Sequence, residues 1–172
     1  MDLDAQLEKP KKKSQKITAV LAFFGGSFAF LYIGGWRVWL VTFGVVFGFR
    51  FFFYLPFEIL GDGPFSFPIM KHVVILLMES LVFLWTAITY CSLLNRTIDA
   101  QEEIHELRSF KAGWASAVMV VRGLFPANLG AIVFCDIAAS ETLGLWSLPL
   151  APIVTGIVVF LVNFLTRRIL ID

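Results

Sequence analysis

Residues Leu21–Gly35 read LAFFGGSFAFLYIGG, an apolar run with one glycine pair at its centre and a second at its end. Each glycine weakens a helix by about 1 kcal/mol relative to alanine. The run belongs to the shortest apolar window of the chain, Ile17–Ile33. We therefore expect this window to bend back as a re-entrant or interfacial hairpin instead of crossing a membrane.

The rest of the chain predicts an all-α, polytopic transmembrane bundle. The hydrophobic fraction is 58% and the mean hydropathy is +0.81, whereas soluble domains carry roughly 45–50% apolar residues. Four further windows approach the ~20 apolar residues of a spanning helix, and they lack the polar alternation of a β-barrel strand. These windows are Val38–Phe57, His72–Leu94, Trp114–Cys135 and Trp146–Thr166.

The distribution of basic residues favours four full crossings plus the hairpin, with five crossings as the alternative. Five of the fourteen basic residues lie in Lys9–Lys16, and basic residues mark the cytoplasmic side. Four crossings place both termini in the cytoplasm, whereas five would leave Arg167 and Arg168 outside. The chain is then a basic cytoplasmic tail, residues 1–16, and a single transmembrane domain, residues 17–172. Its lysine-rich start suits a bacterial inner membrane.

The lysine cluster could attract anionic lipid headgroups at about 1 kcal/mol per charge, or it could serve only as a topology signal. Nucleic acid is not expected as a partner, because no basic face exists outside the membrane flanks.

Arg50 and Glu79 are ionisable residues inside two predicted spans. In an antiparallel hairpin both would lie ~10 Å from the outer interface, so they can pair. Ions inside a membrane usually pair or line a wet cavity. Three interpretations stay open: a structural ion pair, an arginine that extends towards the headgroups, and a polar pocket or proton path.

Two other features of the spans suggest binding. Arg122 lies about two turns into the fourth window, four residues before Pro126. A guanidinium there could hold a lipid phosphate, or it could extend to the cytoplasmic headgroups. With Arg167 and Arg168, Arg122 forms a candidate set of anionic-lipid contacts. Gly44 and Gly48 form one small-xxx-small step, a pattern that lets helices pack closely.

The sequence offers no convincing catalytic or cofactor site. Glu102 and His105 make a single Glu-x-x-His, whereas bundle di-iron sites need that motif twice. Cys91 and Cys135 should lie near opposite membrane faces, too far apart for a disulfide. We expect no metal and no cofactor.

Two partial resemblances add to this interpretation. Leu21–Gly35, followed by Trp36-Arg37, resembles the short hairpins of the TM2-like group, through Gly25–Gly26, Leu31–Tyr32 and Gly34–Arg37. Similar hairpins precede some bacterial signal peptidases, but a peptidase would need a soluble domain that has no counterpart here.

The C-terminal segment SLPLAPIVTGIVVFLVNFLTRRIL is similar to the closing helix of the GtrA-like family. The matching positions are Ala151, Asn163, Phe164, Arg167 and Arg168, while the aromatic pair usual after the arginines is missing. The resemblance implies a four-span protein that moves polyprenyl-phosphate-linked sugars.

The function we expect is that of a small non-catalytic membrane protein, an accessory, assembly or scaffold component that binds other membrane proteins. The alternative is a GtrA-like carrier of polyprenyl-phosphate-linked sugar or another anionic lipid. An intramembrane enzyme ranks last, because these residues assemble neither a nucleophile–base pair nor a metal shell. The sequence leaves the oligomeric state open.

Overall fold

The computed structural model describes residues 11–60, 68–100 and 103–139, with positions 150, 153, 156, 157 and 161, and gives side chains for all of these except 54–60, 68–71 and 134–139. The secondary structure of this part is entirely helical, as predicted. The five helices are α1 (Gln15–Gly25), α2 (Phe28–Gly34), α3 (Trp36–Leu60), α4 (Pro68–Asp99) and α5 (Phe110–Ala139), and a single 3-10 turn lies at Glu106–Arg108.

Three of these helices are long and apolar enough to cross a membrane. The qualifying segments are Trp36–Phe53 in α3, His72–Asp99 in α4 and Phe110–Val133 in α5. Their lengths of 18, 28 and 24 residues compare with the roughly 20 residues needed to span the hydrocarbon core. The expectation of an α-helical membrane protein is therefore supported by the structure.

The first apolar window folds as two short helices instead of one span. The Ser14 hydroxyl accepts a hydrogen bond from the Ile17 N–H at the start of α1. At the other end of α1 lies Gly26, whose φ of 55° belongs to the left-handed region that favours glycine. Gly35, with φ 81°, separates α2 from α3 in the same way. Both glycine pairs therefore coincide with helix ends.

The two short helices form a hairpin whose open end lies beside the C-terminal end of α4. The Lys13 N–H donates to Asn95 Oδ1 at 2.9 Å, and the Ser14 N–H donates to the hydroxyl of Tyr32 near the end of α2. At the closed end, Gly26 packs against the ring of Phe83, which lies nearer the N-terminal end of α4 than Asn95 does. Thus α1 runs antiparallel to α4, and α2 returns to the starting level.

Helices α3, α4 and α5 form the packed bundle that carries the hairpin. Gly113 and Gly123 of α5 allow close approach, since an added Cβ would lie 3.0 Å from Val41 and 2.6 Å from Val82, respectively. The buried hydroxyls of Thr42 and Ser116 join α3 to α5 by a 2.7 Å hydrogen bond. Small residues and short interhelical hydrogen bonds are usual in membrane bundles.

The predicted loops need correction at their ends. The prolines and glycines of Pro56–Lys71 predict a turn-rich loop, but α3 continues to Leu60 and α4 begins at Pro68. Proline is well tolerated in the first turn of a helix, where its missing N–H would have no partner. For Asn95–Ala112 the sequence predicts either an extension of the third window's helix or a segment on the membrane surface; α4 continues to Asp99, and the 3-10 turn follows separately.

Several sequence-based expectations lie outside the described residues. They concern the first ten residues of the tail, the middle of the outer loop at 61–67, and most of the window Trp146–Thr166 with the arginines after it. Within that window the described positions are helical and exposed: Leu150, Ile153, Gly156, Ile157 and Leu161.

Candidate functional site

Arg50 and Glu79 meet across the α3–α4 interface. Arg50 Nη2 donates to Glu79 Oε2 in a charged hydrogen bond. Arg50 lies about 21 Å along α3 from Trp36, at a rise of about 1.5 Å per residue, and about 15 Å from Leu60. The structure therefore brings the two residues together well inside the spans, on neighbouring helices.

The two partners differ sharply in exposure. The Glu79 side chain is 3% exposed and the Arg50 side chain 43% exposed. A buried carboxylate is stable only when paired or hydrogen-bonded, and Arg50 supplies that charge. Glu79 is thus held in the interior, while almost half of the Arg50 side chain is exposed.

The guanidinium of Arg50 keeps unused donor capacity. It carries five N–H donors in a planar fork. Its Nε is buried and has no hydrogen-bond partner within the described part of the chain. A second acceptor that reaches the exposed part of the side chain could therefore bind to the same group without displacing Glu79.

The open space beside Arg50 is a cavity of about 280 Å³ between the hairpin, α3 and α4. Its polar wall is formed by the hairpin turn, by the ion pair and by one hydroxyl of α4: Gly25, Gly26, Ser27, Arg50, Glu79 and Ser80. The other lining residues are five phenylalanines, Val46 and Leu76. The volume lies just below the ~300 Å³ at which small-molecule sites begin.

This arrangement favours binding of a small charged or polar group. A cationic fork, two hydroxyls and a carboxylate face one cavity with mainly aromatic walls. Among the described residues that line the cavity, no histidine or cysteine accompanies the serines. Within residues 11–60, 68–100 and 103–139, no three His, Cys, Asp or Glu side chains are grouped closely enough to hold a metal ion.

Arg122 lies outside this cavity. It is exposed on α5, next to Gly123, whose contact with Val82 places it near the level of Phe83 and the hairpin turn. It is not among the cavity-lining residues. Arg167 and Arg168 lie outside the described residues. The predicted set of three lipid contacts therefore stays a prediction.

Gly44 and Gly48 occupy an open face of α3. A Cβ added to either glycine would meet no atom of the described residues within 4 Å. With Leu40 and Phe52 they form a row at four-residue spacing, which keeps them on one helix face. A parallel row of exposed phenylalanines, Phe43, Phe47 and Phe51, runs beside it.

The remaining candidates from the sequence are Glu102, His105 and the two cysteines. His105 precedes the 3-10 turn on the exposed surface, and Glu102 lies outside the described residues. Cys91 is buried, with its Sγ 3.6 Å from the Lys13 carbonyl oxygen. The side chain of Cys135 is not described.

Sequence reasoning found the ion pair but missed the hairpin turn as the third wall of its cavity. The signal that could have suggested it is Ser27, a polar residue directly after the central glycine pair. A turn in the middle of an apolar window is tolerated inside a membrane only where it is buried or lines a cavity.

Comparison of the chain with protein-family models, curated proteins and solved structures gives no match. The resemblances at Leu21–Arg37 and at the C-terminal end therefore stay predictions. The geometry of the described residues carries the functional proposals that follow.

Proposed function

We propose that the chain is a non-catalytic, multi-pass membrane protein that acts by binding another membrane protein. In this proposal α3, α4, α5 and the window Trp146–Thr166 cross a bacterial inner membrane, and the α1–α2 hairpin re-enters from the cytoplasmic side. Both termini are then cytoplasmic. The return of α2 to the level of Ser14 and the lysines of the tail support this orientation.

The observation that carries the binding proposal is the open glycine row of α3. Only 17% of its spanning window is buried, against 50% for the windows of α4 and α5. Glycines that face lipid alone would lower helix stability without any packing gain. Beside a partner helix they permit close backbone approach.

The shape of this face fits an apolar transmembrane helix. The row Leu40, Gly44, Gly48, Phe52 forms a groove, and the phenylalanine row beside it forms a ridge. Helices pack by placing the ridges of one into the grooves of the other. We assign the groove to a helix of a different membrane protein, in keeping with an accessory or assembly role.

The experiment is co-purification from native membranes in mild detergent, with mass spectrometry of bound proteins. A Cβ at either glycine would meet no atom of the described residues within 4 Å, so the double variant Gly44→Leu/Gly48→Leu is chosen to fill the groove. It should keep the fold and lose the partner. Ala115→Leu, an exposed small-to-large change on α5, should keep both.

Two outcomes would overturn this assignment. A partner retained by the glycine double variant would show that the groove is not the interface. If the only protein lost from the glycine double variant were a second copy of this chain, the groove would mediate self-association instead of an accessory role.

A second candidate function is that of a carrier for polyprenyl-phosphate-linked sugar or another anionic lipid. The observation that favours it is the half-exposed side chain of Arg50 in a cavity among the spans. In a carrier, neutralising Arg50 together with Glu79 would abolish transport and leave the fold intact. An intramembrane enzyme remains the least supported alternative, as no reactive constellation lines this cavity.

A further inference from the structure

We infer that the cavity beside Arg50 and Glu79 binds the anionic head of an amphiphile, a carboxylate or a phosphate on an apolar chain, which enters sideways from the bilayer. This inference rests on the membrane placement proposed above. The cavity shares Phe43 and Phe47 with the ridge on α3, but none of the four groove residues, Leu40, Gly44, Gly48 and Phe52, lines it.

The charge of the ligand follows from the different exposure of the two ions. Both ions line the cavity, but the Glu79 side chain is only 3% exposed, whereas the Arg50 side chain is 43% exposed. A group that enters the cavity therefore meets mainly the cation. A guanidinium has five N–H donors, so the exposed part of Arg50 can bind a second oxyanion beside Glu79.

Two further residues that carry hydroxyl donors also line the cavity. Ser27 of the hairpin turn and Ser80 of α4 both contribute to its lining. A hydroxyl can donate to an anionic oxygen. A carboxylate or phosphate in the cavity would thus have neutral donors as well as Arg50, and the volume of about 280 Å³ suits such a headgroup.

The route of entry follows from the rim. Four lining residues expose large apolar side chains, with Phe24 83%, Phe47 63%, Leu76 56% and Phe43 41% exposed. In the proposed placement, these side chains lie in the hydrocarbon region of the bilayer. A ligand that passes them with low desolvation cost carries an apolar chain, because a free anion would have to shed its water first.

The test uses the full chain in phosphatidylcholine nanodiscs. The probes are oleate and phosphatidic acid, with inorganic phosphate and acetate as head-only counterparts, and binding is measured with radiolabelled probe. We expect saturable binding of both amphiphiles. Arg50→Gln/Glu79→Gln should weaken it by about tenfold or more, since hydrogen bonds to charged groups are among the strong ones. The double change avoids leaving one buried ion unpaired.

Two further variants isolate the cavity from the charge pair. Ser80→Phe fills the cavity and keeps both ions, so amphiphile binding should be lost. Arg122→Gln removes an exposed arginine of α5 that does not line the cavity, so binding should be unchanged. Circular dichroism and elution volume confirm that each variant is folded.

Unchanged amphiphile binding in both cavity variants would overturn the inference. Equal binding of inorganic phosphate or acetate would overturn the bilayer route and assign the site to a water-soluble anion. Because the glycine row of α3 is untouched in every variant, partner co-purification should persist throughout. Failure of this inference is therefore distinguishable from failure of the proposed function.

Discussion

The side-chain amide of Asn95 exchanges two hydrogen bonds with the backbone of Lys13. Its Oδ1 accepts from the Lys13 N–H and its Nδ2 donates to the Lys13 carbonyl oxygen, each at 2.9 Å. Lys13 also places its ammonium over the ring of Tyr32, 4.8 Å from the centroid. One side chain of α4 thus holds the segment that leads into α1, and the same segment contacts α2.

Replacing Asn95 by leucine should release the chain before α1. Both backbone groups of Lys13 would lose their partner, at a cost of about 1–3 kcal/mol for each group that stays out of water. We expect faster tryptic cleavage at Lys12, Lys13 and Lys16 in detergent-solubilised protein. Leu93→Ala, an exposed neighbour, serves as the control and should leave the rate unchanged. Equal rates in both variants would mean that the Asn95 pairing does not hold the tail.

Cysteine labelling should distinguish the hairpin from a full crossing. In a background of Cys91→Ala and Cys135→Ala, Lys16→Cys and Arg37→Cys lie on either side of the first apolar window. We expect a membrane-impermeant maleimide to reach both from the cytoplasmic side, because α2 returns to the level at which α1 begins. Lys71→Cys should react from the opposite side. Labelling of Lys16→Cys and Arg37→Cys from opposite sides would establish five crossings.

Gly123 should be intolerant of even one added methyl group. A Cβ there would lie 2.6 Å from Val82 Cγ1, and overpacking costs typically about 1–3 kcal/mol. Gly123→Ala should therefore lower the melting temperature in detergent, and Val82→Ala in the same chain should restore most of the loss. Gly44→Ala is the matched control and should be neutral or slightly stabilising. A Gly123→Ala melting temperature equal to wild type would contradict this close packing.

Removing one member of the Arg50–Glu79 pair should be worse than removing both. Arg50→Leu leaves the buried carboxylate of Glu79 without its guanidinium, and breaking a buried pair costs about 3–5 kcal/mol. Arg50→Leu/Glu79→Leu should recover most of this stability, because no charge then remains in the interior. Thermal unfolding in detergent, monitored by circular dichroism, measures the three variants. Additive losses in the double variant would argue against direct coupling of the two residues.

Local sequence rules could predict the break in the first window and the pairing of two ions. Both glycine pairs end helices, since backbone freedom is a property of the residue itself. The similar membrane depth of Arg50 and Glu79 can be predicted from the helix rise per residue and an antiparallel connection between their helices. The outer loop was predicted less well, because its prolines and glycines were all counted as helix breakers, although Pro68 begins α4.

The cavity could not be predicted from the sequence. Its third wall depends on how far the hairpin reaches along α4, and that is set by the contact of Gly26 with Phe83. This contact is between residues far apart in the chain and depends on how the helices pack, so no local sequence pattern predicts it. The open face of α3 is likewise a property of the assembled bundle: Gly44 and Gly113 look alike in sequence, yet only Gly113 contacts another helix.

The hairpin also makes the described bundle unequal at its two ends. Five helices occupy the end near Lys13 and Asn95, but only α3, α4 and α5 continue past Gly26 and Phe83. In the proposed orientation, this part of the chain takes up more lateral area in the cytoplasmic leaflet than in the outer one. A tapered body of this kind displaces unequal numbers of lipids from the two leaflets, so membrane curvature would shift its free energy of insertion.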